Sequence, residues 1–454
     1  MSLSAPEFIS YNLVVNTLAH AFITGPQTPE ACIARGLHAL GKGKRWISPL
    51  AKRYLREFSG DSRPRRRDVA RFLLSEAVWS SPELSTKKLS KIKVQAWLLE
   101  PRQMQPVAAA VNWNVPSIES SGELAARLNV SLDELAWFAD IKTLGRKNAD
   151  APLHHYHYRV AEKQSGGIRL IEVPQKRLKQ IQRTILADIL SRVPTYCNAA
   201  HGFVKGRSVQ TFAAPHVGQR VVLRMDLENF FPRISRARVQ AIFRTLGYPE
   251  TVADILGALC TNTTPLAVLS SQQHPAFNTR LLFDARQLYH RPHLPQGAPT
   301  SPALANIAAY HLDCRLTGLA HWAGAAYTRY ADDIALSGDD EFARHVERYA
   351  SEVAAIASSE GWSVHHRKTR IMKQSVRQHL AGMVVNQTLN VTRHDFDTLK
   401  AILTNCVRHG ASSQNKDGLP NFRAHLAGRI AWVASVNAGR GKRLRQIFDG
   451  VAWE

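Results

Sequence analysis

Tyr327-Thr328-Arg329-Tyr330-Ala331-Asp332-Asp333-Ile334-Ala335-Leu336-Ser337-Gly338 sets hydrophobic and aromatic residues on both sides of an acidic pair, and Gly338 and Asp339 follow as turn residues. The pattern predicts a hairpin: strand, tight acidic turn, strand. Two adjacent carboxylates at a turn repel each other and gain nothing from packing. A divalent cation compensates them, because Mg²⁺ takes carboxylate oxygens together with substrate phosphates. Taken alone, the pair reads equally well as a solvated turn.

Upstream, Val221-Val222-Leu223-Arg224-Met225-Asp226-Leu227-Glu228-Asn229-Phe230-Phe231-Pro232 is a second apolar strand that ends in an acid. Asp226 and Asp332 can meet only through the fold. Phosphoryl transfer with two metals needs carboxylates from separate strands converging on ions roughly 4 Å apart. Between the strands lies Leu294-Pro295-Gln296-Gly297-Ala298-Pro299-Thr300-Ser301-Pro302, a loop opening a helical pattern from Ala303 to Leu319. An acid-ended strand, a Pro-Gln-Gly loop and a Tyr-Ala-Asp-Asp hairpin, in this order, resemble the palm of a reverse transcriptase.

Charge supports a polyanionic partner. Lys and Arg number 59 against 36 Asp and Glu, a formal net charge of +23, and phosphate neutralisation supplies most non-specific affinity for nucleic acid. The 44% hydrophobic content is that of an ordinary globular chain. Five scattered cysteines (Cys32, Cys197, Cys260, Cys314, Cys406) form no C-x-x-C pair, which argues against a disulfide framework or a zinc site and fits a cytoplasmic location. The start lacks the basic and apolar regions of a signal peptide, and no apolar run reaches the ~20 residues of a membrane span.

Residues 1–115 read as a basic helical extension. Gly41-Lys42-Gly43-Lys44-Arg45-Trp46 and Ser62-Arg63-Pro64-Arg65-Arg66-Arg67 are loop-like basic clusters without P-loop spacing, open to backbone contact with nucleic acid or to simple solvation. The Lys87 to Lys93 run reads as a solvated helix face. Ser120 to Asp140 has the pattern helix, turn, helix, with a Ser131-Leu132-Asp133-Glu134 capping box; a packing element is favoured over a DNA reader. His154-His155-Tyr156-His157-Tyr158 reads as a strand rather than a metal site. Lys163-Gln164-Ser165-Gly166-Gly167-Ile168-Arg169 reads as a hairpin, and Lys176 to Leu186 as an amphipathic helix with a basic face. His201-Gly202-Phe203-Val204-Lys205-Gly206-Arg207 is a Gly-punctuated basic loop. Residues 261–293 read as a polar, turn-rich insertion. Phe342 to Glu360 is helical, Trp362 to Thr369 returns as a strand, and the tail holds helices over Phe396–Val407 and Phe422–Ala438, with a basic cluster over Gly439–Arg445.

From about residue 120 to 454 the motif order is similar to bacterial reverse transcriptases of the retron type. It departs from them at Phe212-Ala213-Ala214-Pro215-His216, where the family carries Asn-Ala-x-x-His, and at Leu380-Ala381-Gly382, where it carries Val-Thr-Gly. A phage-defence reverse transcriptase outside the retrons is the alternative, with template-independent or protein-primed synthesis. The resemblance implies an α+β right-hand polymerase: fingers over 116–220, a palm with an antiparallel sheet over 221–390, and a helical thumb over 391–454 that would grip a duplex minor groove. It makes Asp226, Asp332 and Asp333 the catalytic residues. It also implies two Mg²⁺ ions (Mn²⁺ as a substitute) on Asp226, Leu227, Asp332 and Asp333. Lys163 and Arg169 would contact the triphosphate, Leu227, Gln296 and Gly297 would shape the nucleotide pocket, and Lys368 would lie near the leaving pyrophosphate. Phe231 matches the bulky gate that excludes a ribose 2′-OH, with Phe230 packing inward. The implied partners are dNTPs, a noncoding RNA template, the RNA–DNA hybrid product and an effector protein in antiviral defence, with no membrane.

Overall fold

Apolar residues at helical spacing open the chain, and in the computed structural model they build four helices: α1 (Ala5–Ile23), α2 (Pro29–Leu40), α3 (Ile47–Glu57) and α4 (Arg66–Ser75). The structure describes residues 5–59, 64, 66–80, 92–98, 103–141, 155–163, 166–194 and 199–453. Thr28 starts α2 by accepting the Ala31 N–H, with Pro29 in the first turn, where its missing N–H costs nothing. Leu18, Phe22, Leu40, Ile47, Leu50, Tyr54 and Leu73 close one apolar core. This core belongs to a compact unit of Met1–Asn112, Ser117–Leu132 and Phe243–Asp254. Within it the Gln105 N–H donates to the Gly247 carbonyl at 2.8 Å. Helix α5 (Ser121–Leu128) is capped by Ser120, which accepts the Glu123 N–H. The Lys87, Lys88 and Lys91 run and Arg63 and Arg65 of the second basic cluster lie outside the described residues.

The second unit comprises Trp113–Pro116, Asp133–Ile242 and Ile255–Glu454. After α6 (Leu132–Ala139), strands β1 (Tyr156–Glu162) and β2 (Ile168–Pro174) pair antiparallel, from Tyr156 opposite Pro174 to Glu162 opposite Ile168. Gly166 and Gly167 turn this hairpin at φ of 80° and 93°. His157 lies on β1, as the alternation of large residues implies, and His154 lies outside the described residues. Helix α7 (Lys176–Asp188) buries Leu178, Ile181 and Ile185.

Strand β3 (Val221–Asp226) is central in a four-stranded antiparallel sheet, ordered β4 (Ala326–Tyr330), β5 (Asp333–Gly338), β3, β6 (Arg370–Lys373). Val221, Val222 and Leu223 are fully buried. Gly338 ends β5 instead of making a turn, and Asp339 caps the helix over Asp340–Ser359 by accepting the Glu341 and Phe342 N–H groups. The helix after the Pro-Gln-Gly loop is broken at Ala309 into Ser301–Ala308 and Tyr310–Trp322.

Two further expectations need correction. Residues 261–293 are not turns alone: they carry a helix over Thr279–Tyr289 whose Leu282, Ala285 and Tyr289 pack with Ile168 and Leu170 of β2. Its apolar positions follow helical spacing, which the surrounding polar residues masked. Trp362 to Thr369 is not a strand; only Val364 bridges to Leu227, and His366–Lys368 is a 3₁₀ turn before β6. The basic cluster Gly439–Arg445 lies within a helix over Ala438–Asp449, which packs with those over Arg393–His409 and Phe422–Val436 through Leu403, Leu426, Ile430, Leu444 and Phe448.

Candidate active site

The end of β3 and the β4–β5 turn meet. Asp226 is the cross-strand partner of Asp333, and the Leu227 N–H donates to the Asp332 carbonyl at 2.9 Å. On the other side the His365 N–H donates to the Asp226 carbonyl at 2.7 Å. Opposed residues of an antiparallel pair share a face, so Asp226, Asp333 and Arg224 project together. Arg224 binds Asp333 Oδ1 through Nε at 3.0 Å and Nη2 at 2.8 Å. Lys368 Nζ lies 3.0 Å from Asp226 Oδ2. Among the described residues no cation forms an ion pair with Asp332; burial and then Asp226 and Asp333 push its carboxyl up to about 6. Burial also raises Asp333, against the pull of Arg224.

The turn itself is held under strain. Ala331 adopts φ of 56°, a left-handed conformation that side-chain-bearing residues disfavour. Arg329 fixes it from below: Nη1 donates to the Ala331 carbonyl at 2.9 Å, while Nε and Nη2 bind Asp313 at 2.7 and 2.6 Å. Both partners are essentially fully buried. Gly202 lies against the same turn, where a Cβ would come 2.6 Å from the Ala331 nitrogen, and Asn306 Nδ2 donates to the Gly202 carbonyl at 2.8 Å. His216 ties β4 to β5 through Thr328 Oγ1 at 2.7 Å and Ser337 Oγ at 2.6 Å. Burial pushes its pKa down to about 3, so the ring is neutral. Thr328 donates its hydroxyl to the Phe212 carbonyl at 2.9 Å. Nε2 of His216 is therefore the donor to Thr328, and Nδ1 accepts from Ser337.

Cations and apolar rings line the surroundings. Lys163 reaches from beyond β1 to Asn229 Oδ1 at 2.8 Å. Burial lowers its pKa, as do Arg169 and Lys368, while Asp226 and Asp332 act in the other direction, so these five charged groups share one electrostatic neighbourhood. Phe230 is buried and stacks on Trp362 at 5.8 Å, while Phe231 stays partly open. Strand alternation is not the cause, because both rings follow β3 in a turn where Asn229 has φ of 52°. The Pro-Gln-Gly loop docks on β2: the Glu172 N–H donates to the Gln296 carbonyl at 2.9 Å, and a Cβ on Gly297 would come 2.8 Å from the Glu172 carbonyl. Beneath it the buried Glu172 carboxylate binds His293 Nε2 at 2.7 Å, Asn262 Nδ2 at 2.8 Å and Thr264 Oγ1 at 2.9 Å.

Sequence reasoning passed over Arg224, Arg329, Asp313, Asn306 and Glu172. Strand periodicity offered one signal, since Arg224 sits two residues before Asp226 and therefore shares its face. Nothing local marks Asp313 on a helix as the partner of a strand arginine.

The residues suit a divalent ion. Among the described residues no three His, Cys, Asp or Glu side chains form a ready-made metal cage. Asp226 and Asp333 nevertheless set negative charge beside the buried Asp332 and add to the effect of burial in raising its carboxyl. Two carboxylates with substrate phosphates is the arrangement Mg²⁺ favours over an all-protein cage.

Residues 161–385 match the family model of the reverse transcriptases (RNA-dependent DNA polymerases). The chain is 35% identical over 401 residues to the retron Mx65 reverse transcriptase of Myxococcus xanthus, covering 87% of each chain. It is 36% identical over 277 residues to the retron Mx162 reverse transcriptase of the same organism, covering 59% of this chain and 54% of that one. The retron Ec86 reverse transcriptase of Escherichia coli is 28% identical over 294 residues, covering 64% and 79%. A strand-end acid joined to a buttressed Tyr-Ala-Asp-Asp turn, with these relatives across most of its length, identifies the chain as a member of the retron reverse transcriptases, RNA-directed DNA polymerases of α+β right-hand architecture.

Proposed function

We propose that Asp226 and Asp332 hold two Mg²⁺ ions, with Mn²⁺ able to replace them, and that Asp333 and Arg224 brace this pair while the chain copies a dedicated noncoding RNA into DNA. The observation that carries the reading is the junction of β3 with the acidic turn: Asp226 registered opposite Asp333, and Leu227 bonded to Asp332. When bound, the ions supply a lowered pKa for the attacking hydroxyl and charge compensation for the leaving pyrophosphate.

The protein groups do the rest. The Leu227 N–H bonds the Asp332 carbonyl, and the Leu227 carbonyl would offer the ions a third oxygen beside the two carboxylates. Lys163 and Arg169 bind the triphosphate from the fingers hairpin, Arg169 suited by its planar fork. Lys368 holds Asp226 in place and would pass a proton to the leaving pyrophosphate. Gln296 and Gly297 shape the nucleotide pocket through their dock on β2. Phe231 lies beneath C2′ and leaves no room for a ribose hydroxyl. In this reading 116–220 are fingers, 221–390 palm, 391–454 thumb on the RNA–DNA hybrid, and 1–115 an added basic unit.

Asp332→Asn abolishes dNTP incorporation while RNA binding persists, because the basic surface is untouched; undiminished polymerisation by this variant would refute the site. Sequencing the nucleic acid that copurifies with the protein identifies the template and primer, and a product without RNA complementarity would favour template-independent synthesis instead. An effector protein encoded nearby, as in antiviral defence, would appear in the same purification.

A further inference from the structure

Phe203 combines three features. Its side chain is 51% exposed. Its φ is 61°, a left-handed backbone that a bulky residue seldom adopts unless its surroundings impose it. Its ring centroid lies 6.1 Å from that of Phe231 and 6.4 Å from that of Tyr330.

The surroundings do impose it. Gly202 is wedged against the Tyr330–Ala331 backbone and bonded to Asn306, and the preceding His201 N–H donates to the Arg329 carbonyl at 2.8 Å. A chain pinned so tightly at 201 and 202 turns the next side chain outward, between the ring that immediately precedes Ala331 and the ring that follows β3. The molecule thus holds an apolar aromatic in water within reach of its acidic turn. A flat, uncharged π surface suits a nucleobase and its sugar.

We propose that Phe203 is a substrate-contacting residue, its ring extending the Phe231 surface so that the sugar and base of the incoming nucleotide pack on both. This rests on the reading of Phe231 as the sugar gate. Phe203→Ala, Phe203→Trp and Phe231→Ala are compared with the unchanged chain on an RNA template. Steady-state dNTP and rNTP incorporation gives KM and kcat, and dNTP binding to a dideoxy-terminated primer complex gives Kd without turnover. Loss of one stacked contact is expected to raise dNTP Kd and KM about tenfold in Phe203→Ala. In that variant kcat should change by no more than about twofold, dNTP-over-rNTP preference should fall, and Phe203→Trp should restore binding. A half-exposed ring leaves the fold intact on truncation, which the melting midpoint checks. Unchanged dNTP Kd in Phe203→Ala, while Phe231→Ala relaxes sugar selection, overturns this inference alone. If Phe231→Ala leaves sugar selection intact, the gate reading itself fails.

Discussion

Asp332 makes the ion-free protein less stable than it need be. Its carboxyl is pushed from 3.8 to about 6 by burial and by the facing Asp226 and Asp333. Between those values the folded protein keeps a proton that the unfolded chain has released, so stability falls as pH rises through that window and levels off above about 6. The gap corresponds to about 3 kcal/mol at neutral pH. Because the residue is partly open to water, about 1–3 kcal/mol is the working range. Asp332→Asn removes the repulsion at nearly constant volume. In EDTA at pH 7.5 the variant should melt on the order of 2–5 °C above the unchanged chain, and the difference should shrink as pH falls and vanish only well below the unfolded value of 3.8, where Asp332 is protonated in both states. Divalent cation should raise the midpoint of the unchanged chain and leave that of the variant nearly unmoved. Equal midpoints in EDTA at pH 7.5, or a lower one for the variant, would refute the electrostatic reasoning.

Other sites test the scaffold of the turn. Gly202→Ala drives a methyl to 2.6 Å from the Ala331 nitrogen; single-nucleotide extension should show kcat down by about a hundredfold with RNA affinity kept. Arg329→Met strands the buried Asp313 carboxylate and should cost about 3–5 kcal/mol in urea denaturation, much of it recovered when Asp313→Asn is added. Burial alone would lower the pKa of His293, but Glu172 outweighs it and the net direction is upward. The pair therefore stabilises fully below the ordinary histidine value of 6.5 and loses that contribution as pH rises through the raised one. Glu172→Gln should be destabilised most at pH 6 and visibly less at pH 9, by denaturation at both.

The acids, the Pro-Gln-Gly loop and the hairpins were legible in the chain because each is a local pattern: alternation of apolar residues, turn chemistry, carboxylates at strand ends. The order of those patterns was enough to name the polymerase family. Phe230 and Phe231 took the predicted inside and outside places, but the turn at Asn229 set them there, not strand alternation. The helix over Thr279–Tyr289 was missed because its apolar face sits among polar residues. What holds the Ala331 turn was invisible for a different reason. Arg329 meets Asp313 on a helix, Gly202 arrives from a loop far upstream, and Glu172 finds Asn262 and His293 from both ends of a segment that looked like an insertion. Each partnership joins residues distant in sequence, and burial makes it strong by excluding water. Local residue pattern chose the chemistry; only the packed structure decided which buried charges keep that chemistry in place.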